Sequence, residues 1–511
     1  SSLALRADSF SASAALIRHA MAPERHDRCW LAPLPSCFSF LGRHRPERRE
    51  PSSWKAAAPS ASSSSSSQLP PLAEACEEIR GSCRGRLALA ARKLEVAARL
   101  VPVLICCTID LNRRKGPRHV RANTRRLRLA LEALGPAFVK LGQCAASRED
   151  VLSDEVAAEL RQLCDQVAPY PCEIARALVK AELGDRAPAD LGVVVAAASL
   201  GQVYRVTLDG RRYAVKVQRP GLARALAKDV VILKGLARWT RLLVRWFCET
   251  AVDPVDVVDA WALTLWDELD YKKEGRSSEN MRAALCRSIP GLLIPPVNWD
   301  LSSLRVLTTD WIDGSKVTED PKCVRAEHIM VGVQAFAAMI LEVGVVHADP
   351  HAGNMIIAEQ GRRVCLLDFG MVVTVPPSHR RAWARCIVHL VRMEHDAVLD
   401  ALIDLGFFPP DCPRAEILPV MSKIWVQLVE CGSDIKKRKV AVQMLYTEIL
   451  TFIRRFKFGL PDYYVALARA LVTLEGIALA ADCDFDIFKA IFPVALRFVA
   501  SNSMSDTAAI G

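Results

Sequence analysis

The spacing of apolar and polar positions changes twice along the chain. From Leu72 to Asn112, and again over Asn123–Ala133 and Asp154–Val167, apolar residues recur at helical intervals. Between Val193 and Gln218 the runs Val203-Tyr204-Arg205-Val206 and Tyr213-Ala214-Val215-Lys216-Val217 flank Asp209-Gly210, which predicts a β-hairpin. Past Leu222 the helical period returns. It predicts long helices over Leu222–Cys248, Pro254–Ala284 and Arg325–Val343, and a nearly all-helical stretch from Ser378 to Phe498. A strand-like run, Leu304–Asp310, breaks that series, as do short apolar strands beside His347 and Leu366. The segment 1–71 has no periodicity and reads as disordered, with a serine run at 62–67.

Val96–Ile109 is apolar apart from Arg99 and Thr108, and Arg113-Arg114-Lys115 follow it. At about 14 residues it is shorter than the roughly 20 needed to span a bilayer. It suits either a membrane surface or a buried helix, and burial is the favoured reading. No transmembrane helix is predicted. Among 511 residues, 51% are hydrophobic and 6% aromatic, an aliphatic balance that points to a mostly helical globular protein. The net charge is +10, with much of the excess in N-terminal arginines. Arginine- and serine-rich, acid-poor N-termini resemble organellar transit peptides. The 17 cysteines show no C-x-x-C pair, which argues against a zinc site or a disulfide framework. Nucleic-acid binding would rest on net charge alone and is not expected.

The chemistry concentrates between His347 and Gly370. Asp349 and Asn354 stand with four residues between them, and Asp368-Phe369-Gly370 follows an apolar strand. Phosphoryl-transfer enzymes use such a layout: one Asp orients the acceptor, while an Asn and a second Asp hold magnesium against the nucleotide phosphates. Lys216 ends a strand in an Ala-Val-Lys-Val context, close to the V-A-I-K of kinases. The small residues Ala196, Ala197, Ala198, Ser199 and Gly201 would let backbone N–H groups approach phosphates. Asp310 ends the strand where a kinase has its hinge. Glu268, Asp270 and Glu274 lie on a predicted helix at spacings that turn them different ways. Few residues separate Gly370 from Pro376, so no peptide-docking segment follows.

Five motifs occur in a fixed order: Lys140-Leu141-Gly142-Gln143, the loop 196–202, Glu268-x-Asp270, His347 to Asn354, and Asp368-Phe369-Gly370. On these the chain resembles the UbiB family of atypical kinase-like proteins, also called aarF-domain kinases, over roughly 87–498. The resemblance implies an α+β, mostly helical, two-lobed kinase-like fold with an N-terminal helical K-x-G-Q extension. The expected division is 72–185 for the extension, 186–313 for the small lobe and 314–511 for the large one. It implies ATP and magnesium as cofactors, ATPase chemistry, and a role in prenylquinone metabolism in a mitochondrion or chloroplast. Expected partners are nucleotide, a prenylquinone or lipid precursor, quinone-biosynthesis proteins and a membrane touched peripherally. By resemblance, Lys216 contacts the α- and β-phosphates and pairs with Glu274, Asp368 and Asn354 hold magnesium, and Asp349 is the catalytic-loop acid. Lys140 and Gln143 are expected to enter the site and meet Glu268 and Asp270. Ala352 and Glu149 replace usual prolines, and Asp310 a usual glutamate. A pseudokinase scaffold and a small-molecule kinase are the alternatives.

Overall fold

The computed structural model describes residues 69–112, 117–146, 154–164, 169–247, 253–317, 320–347, 352–430 and 487–508, with 463–464, 473–474 and 477. The chain enters through helices α1 (Leu72–Gly81), α2 (Cys83–Asn112), α3 (Pro117–Leu134), α4 (Pro136–Ala146), α5 (Asp154–Arg161) and α6 (Cys172–Leu183). Leu131, Phe138 and Leu163 bury one shared core with Leu226 and Val230 of α7 (Leu222–Phe247) and Leu265 of α8 (Pro254–Asp267). α2 contradicts the burial expected for Val96–Ile109. It is one continuous helix with a largely exposed apolar face, and only a narrower stripe reaches the core.

The first sheet is antiparallel, in the order β1 (Val193–Ala197), β2 (Gly201–Leu208), β3 (Arg211–Gln218), β5 (Val306–Asp310). Asp209 and Gly210 both take positive φ, 50° and 76°, as a two-residue hairpin turn requires. Along β3 the two-residue period sends Tyr213, Val215 and Val217 into a core with Leu178 and Val179 of α6. Lys216 therefore faces the other way.

The predicted helix 254–284 is two helices. α8 stops at Asp267, and α9 (Tyr271–Leu285) begins after a break at Glu268–Asp270. Two bonds hold the break: Gln218 donates to the Leu269 carbonyl at 2.9 Å, and the Tyr271 N–H donates to the Leu304 carbonyl at 3.1 Å. Leu269 is fully buried, which anchors the corner.

A second four-stranded sheet runs β4 (Leu292–Leu293), β9 (Arg363–Leu366), β8 (Met355–Ala358), β6 (Gly314–Lys316), and β7 (Val345–His347) pairs with β10 (Val372–Thr374). Helices α10 (Ala326–Ala338) and α11 (Pro377–Val391) pack around its core, and so does α14 (Ile487–Ala508), which follows α12 (His395–Asp404) and α13 (Arg414–Glu430) in the chain. Ala326–Val343 is the one described helix long and apolar enough to cross a membrane, and 61% of that stretch is buried inside the protein. Its last turn is a π-helix closed by Gly344 at φ 76°, which aims β7 and His347 at the cleft.

Candidate functional site

A cleft opens between the first sheet and the segments around β7 and Asp368, lined by residues of β2, β3, β7, α4 and the loops that carry Ser199, Glu268, Asn354 and Asp368. Lys216 sits at its centre. Its ammonium contacts both Glu274 oxygens, at 2.6 and 2.8 Å, and lies 3.5 Å from Asp368 Oδ2. The Tyr271 ring forms the floor beneath it, 4.9 Å from centroid to Nζ, a cation–π distance. Burial disfavours the charge on Lys216, but Asp368 and Glu274 outweigh it and hold the proton well above the ordinary lysine range. Burial pushes the Glu274 carboxyl up to about 7.

Asp368 takes φ +51°, a left-handed conformation unusual for a residue with a Cβ. Its Oδ1 accepts the Gly370 N–H at 2.9 Å. Burial works against its charge, yet Lys216 and that N–H keep it well below the usual carboxylate range. Asn354 ends a short 3₁₀ turn, and its carbonyl accepts the Leu367 N–H at 2.9 Å. The backbone thus ties Asn354 to the residue preceding Asp368, and both line the cleft. Phe369 is buried against His347, with ring centroids 5.5 Å apart. Asp349 lies outside the described residues.

The helix break has a chemical result. Glu268 caps the end of α8 and Glu274 sits in the first turn of α9, so the corner brings both into one cleft despite their spacing. Lys140 reaches in from α4 and pairs with Glu268 at 2.8 Å. Burial raises the Glu268 carboxyl, and Lys140 opposes that.

Several expected residues stand elsewhere. Asp270 does not meet Lys140 or Gln143; its carboxylate caps α9, accepting from the N–H groups of Lys272 and Lys273. Free N–H groups at a helix start compete strongly for such a side chain. Gln143 is not among the residues lining the cleft, and its amide donates to the Leu163 carbonyl at 2.9 Å. Ala196 and Ala197 are strand residues, paired with Val203 and Gln202. The part of that stretch lining the cleft is Ala198 to Gly201. Asp310 is exposed at the end of β5, its N–H donating to the Pro296 carbonyl, and it does not line the cleft.

Tyr271 sits inside the Glu268–Glu274 motif but carries no motif signal of its own. Its hydroxyl is buried with no hydrogen-bond partner among the described residues. It also makes Gly201 obligatory: a Cβ there would lie 2.7 Å from the Tyr271 oxygen and 2.6 Å from the Val217 carbonyl.

The donor set suits magnesium with nucleotide phosphates. Among the described lining residues, three carboxylates (Glu268, Glu274, Asp368) oppose two ammonium groups (Lys140, Lys216). Such a cleft repels a bare polyanion and takes one carrying a cation. Oxygen ligands from one carboxylate and one carboxamide, completed by phosphates and water, are the magnesium pattern.

Residues 162–402 match the model of the ABC1 atypical kinase-like domain. An uncharacterized protein of Synechocystis sp. is 32% identical, over 80% of this chain and 72% of its own. The probable protein kinase UbiB of Marinobacter nauticus is 30% identical, over 72% of this chain and 68% of its own. Protein ACTIVITY OF BC1 COMPLEX KINASE 3, chloroplastic, of Arabidopsis thaliana is 30% identical, over 79% of this chain and 57% of its own. The chain spans 62%, 54% and 57% of the length of three of the curated relatives it matches. With the kinase-like α+β architecture and the ordered motifs, these matches show that the chain belongs to the ABC1 atypical kinase-like family, which includes UbiB.

Proposed function

We propose that the protein is an ATP- and magnesium-dependent atypical kinase-like ATPase that supports prenylquinone metabolism in a plastid or mitochondrion. The observation that carries the reading is the Lys216 ammonium, bonded to Glu274 at 2.6 Å and facing Asp368 at 3.5 Å across the cleft. Glu274 holds Lys216 where a phosphate oxygen can be met, and Asp368 with Asn354 would hold magnesium. Bound magnesium neutralises phosphate charge as the terminal phosphoryl group departs. Asp349 is the proposed catalytic-loop acid, and Ser199 and Gly201 offer backbone donors to phosphate. Lys140, seated on Glu268, occupies the acceptor side and favours water or a small acceptor over a peptide.

Thermal denaturation with and without MgATP tests the assignment. MgATP raises the melting temperature of the wild type, ATP with chelator raises it less, and Asp368→Asn loses the MgATP effect. Equal shifts in both proteins would remove Asp368 from the metal site. The metabolic reading is tested separately: cells lacking the protein show altered prenylquinone profiles, restored by the wild type and not by Asp368→Asn.

A further inference from the structure

The turn from Ala198 to Gly201 lines the cleft with Ser199 and Leu200 at its tip. None of Ala198, Ser199 and Leu200 takes a positive φ. A glycine-rich loop can turn its N–H groups toward phosphates by passing through left-handed φ, which a Cβ disfavours. A turn built of alanine, serine and leucine needs its peptide planes set from outside. The Ala198 N–H donates to the Gly201 carbonyl at 2.8 Å, which closes the turn and does not engage the carbonyls of Ala198 or Leu200.

Arg219, just past the end of β3, supplies a donor to each. Its backbone N–H donates to the Leu200 carbonyl at 2.8 Å, and its Nε donates to the Ala198 carbonyl at 3.2 Å. Arg219 is 4% exposed and is not among the residues lining the cleft. The peptide bonds are trans, so the C=O and N–H of one plane point opposite ways. Drawing the Ala198 carbonyl toward Arg219 sends the Ser199 N–H away from it. The Leu200 carbonyl does the same for the Gly201 N–H. The guanidinium is itself seated, 5.3 Å over the Tyr170 ring. The Tyr170 hydroxyl donates to the carbonyls of Val217 and Gln218, at 3.3 and 3.2 Å, and its N–H donates to the Gln202 side chain at 2.8 Å. An arginine stays charged at any working pH, so its bond to Ala198 is charge-assisted.

We propose that Arg219 is a positioning residue for nucleotide phosphate: from behind the turn it holds the Ala198 and Leu200 carbonyls out of the cleft, so that the Ser199 and Gly201 N–H groups face phosphate oxygens. This rests on the nucleotide-binding reading of the cleft and adds the residue that shapes its phosphate side. A side chain that merely braced the small lobe would act on the whole cleft alike. One that orients the turn acts on the turn alone.

Calorimetric titration of the full chain with MgATP, and hydrogen exchange at saturating MgATP, test this. In the wild type, MgATP slows exchange at 198–202 and at 366–371. Arg219→Met keeps an apolar stem against Tyr170 but lacks the side-chain donor. It should bind MgATP at least about tenfold more weakly, the worth of one N–H bond to a phosphate oxygen. At saturation it should lose protection at 198–202 and keep it at 366–371. Tyr204→Phe removes a hydroxyl buried in the same sheet, which accepts from Gln202 at 2.7 Å. It should lower the melting temperature and leave MgATP affinity unchanged. If Arg219→Met does not fold, Arg219→Lys is measured in its place, with the same selective loss at 198–202 expected. Unchanged MgATP affinity in the Arg219 variant overturns the proposal, and so does equal loss of protection in both segments. Either result, with Asp368→Asn still abolishing the MgATP effect, removes Arg219 and leaves the nucleotide site standing. A wild type that does not bind MgATP overturns both.

Discussion

At the scale of single residues, the cleft is a set of charges that hold one another in place. Glu274 is almost wholly buried and its carboxyl is pushed up to about 7, from an ordinary 4.5. Over that interval the folded protein keeps a proton that the unfolded chain has released. This contribution to stability is complete below about 4.5 and is lost as pH rises through about 7. The nucleotide-free wild type should therefore lose melting temperature between about pH 5 and pH 8 relative to Glu274→Gln, which lacks the titrating group. Melting curves of both proteins across that range check it, and a constant difference between them contradicts it. The alanines next to the loop behave differently. Because Ala197 is paired with Gln202 in β1, Ala197→Gly should cost about 0.5–1 kcal/mol of stability and leave MgATP affinity unchanged. Gly201→Ala should be worse, since its Cβ meets the Val217 backbone, which cannot yield as a flexible side chain would. Nucleotide titration and thermal melting of both variants separate these outcomes.

At the scale of elements, one arginine joins the N-terminal helices to the body of the fold. Arg92 on α2 pairs with Asp229 of α7 at 2.8 Å, donates to the last carbonyl of α3, and stacks over Phe138 of α4 at 5.7 Å. Asp229 is only 2% exposed. Arg92→Met leaves that carboxylate buried without its partner and should destabilise the protein by about 3–5 kcal/mol. Asp229→Asn with Arg92→Met should recover part of the loss, and urea denaturation of the single and double variants measures it. Since α4 carries Lys140, the same variants also report whether the Lys140–Glu268 pair depends on the seating of that helix.

At the scale of the molecule, the chain leaves the cleft too abruptly to build a peptide-docking segment. β10 starts at Val372, pairs with His347 of β7, and α11 begins at Pro377. Generic acceptor peptides should therefore be phosphorylated in trans far below the roughly 1–100 per second of protein kinases. Radiolabel transfer from ATP measures this, and turnover in that range would contradict it.

The sequence by itself determined the elements whose cause is local. The Asp209-Gly210 hairpin follows from turn chemistry, the alternation of β3 from its period, and the spacing of Asp349, Asn354 and Asp368 from chemistry that needs oxygen ligands at set intervals. Where the cause is a distant backbone group, the sequence was silent. The local mark of the corner at Glu268–Asp270 is a single N-cap aspartate, Asp270, and the break itself is enforced from a distance by Gln218 at the end of β3 and Leu304 ahead of β5. That corner turned Asp270 into a helix cap and carried Glu268 and Glu274 into the same cleft. Likewise Leu163, twenty residues away in the chain, claims the Gln143 amide. Composition points the apolar run of α2 to a buried site, because it records how apolar a helix is and not how much protein surrounds it. Only the tertiary packing decided which side of that helix meets the core and which is left open.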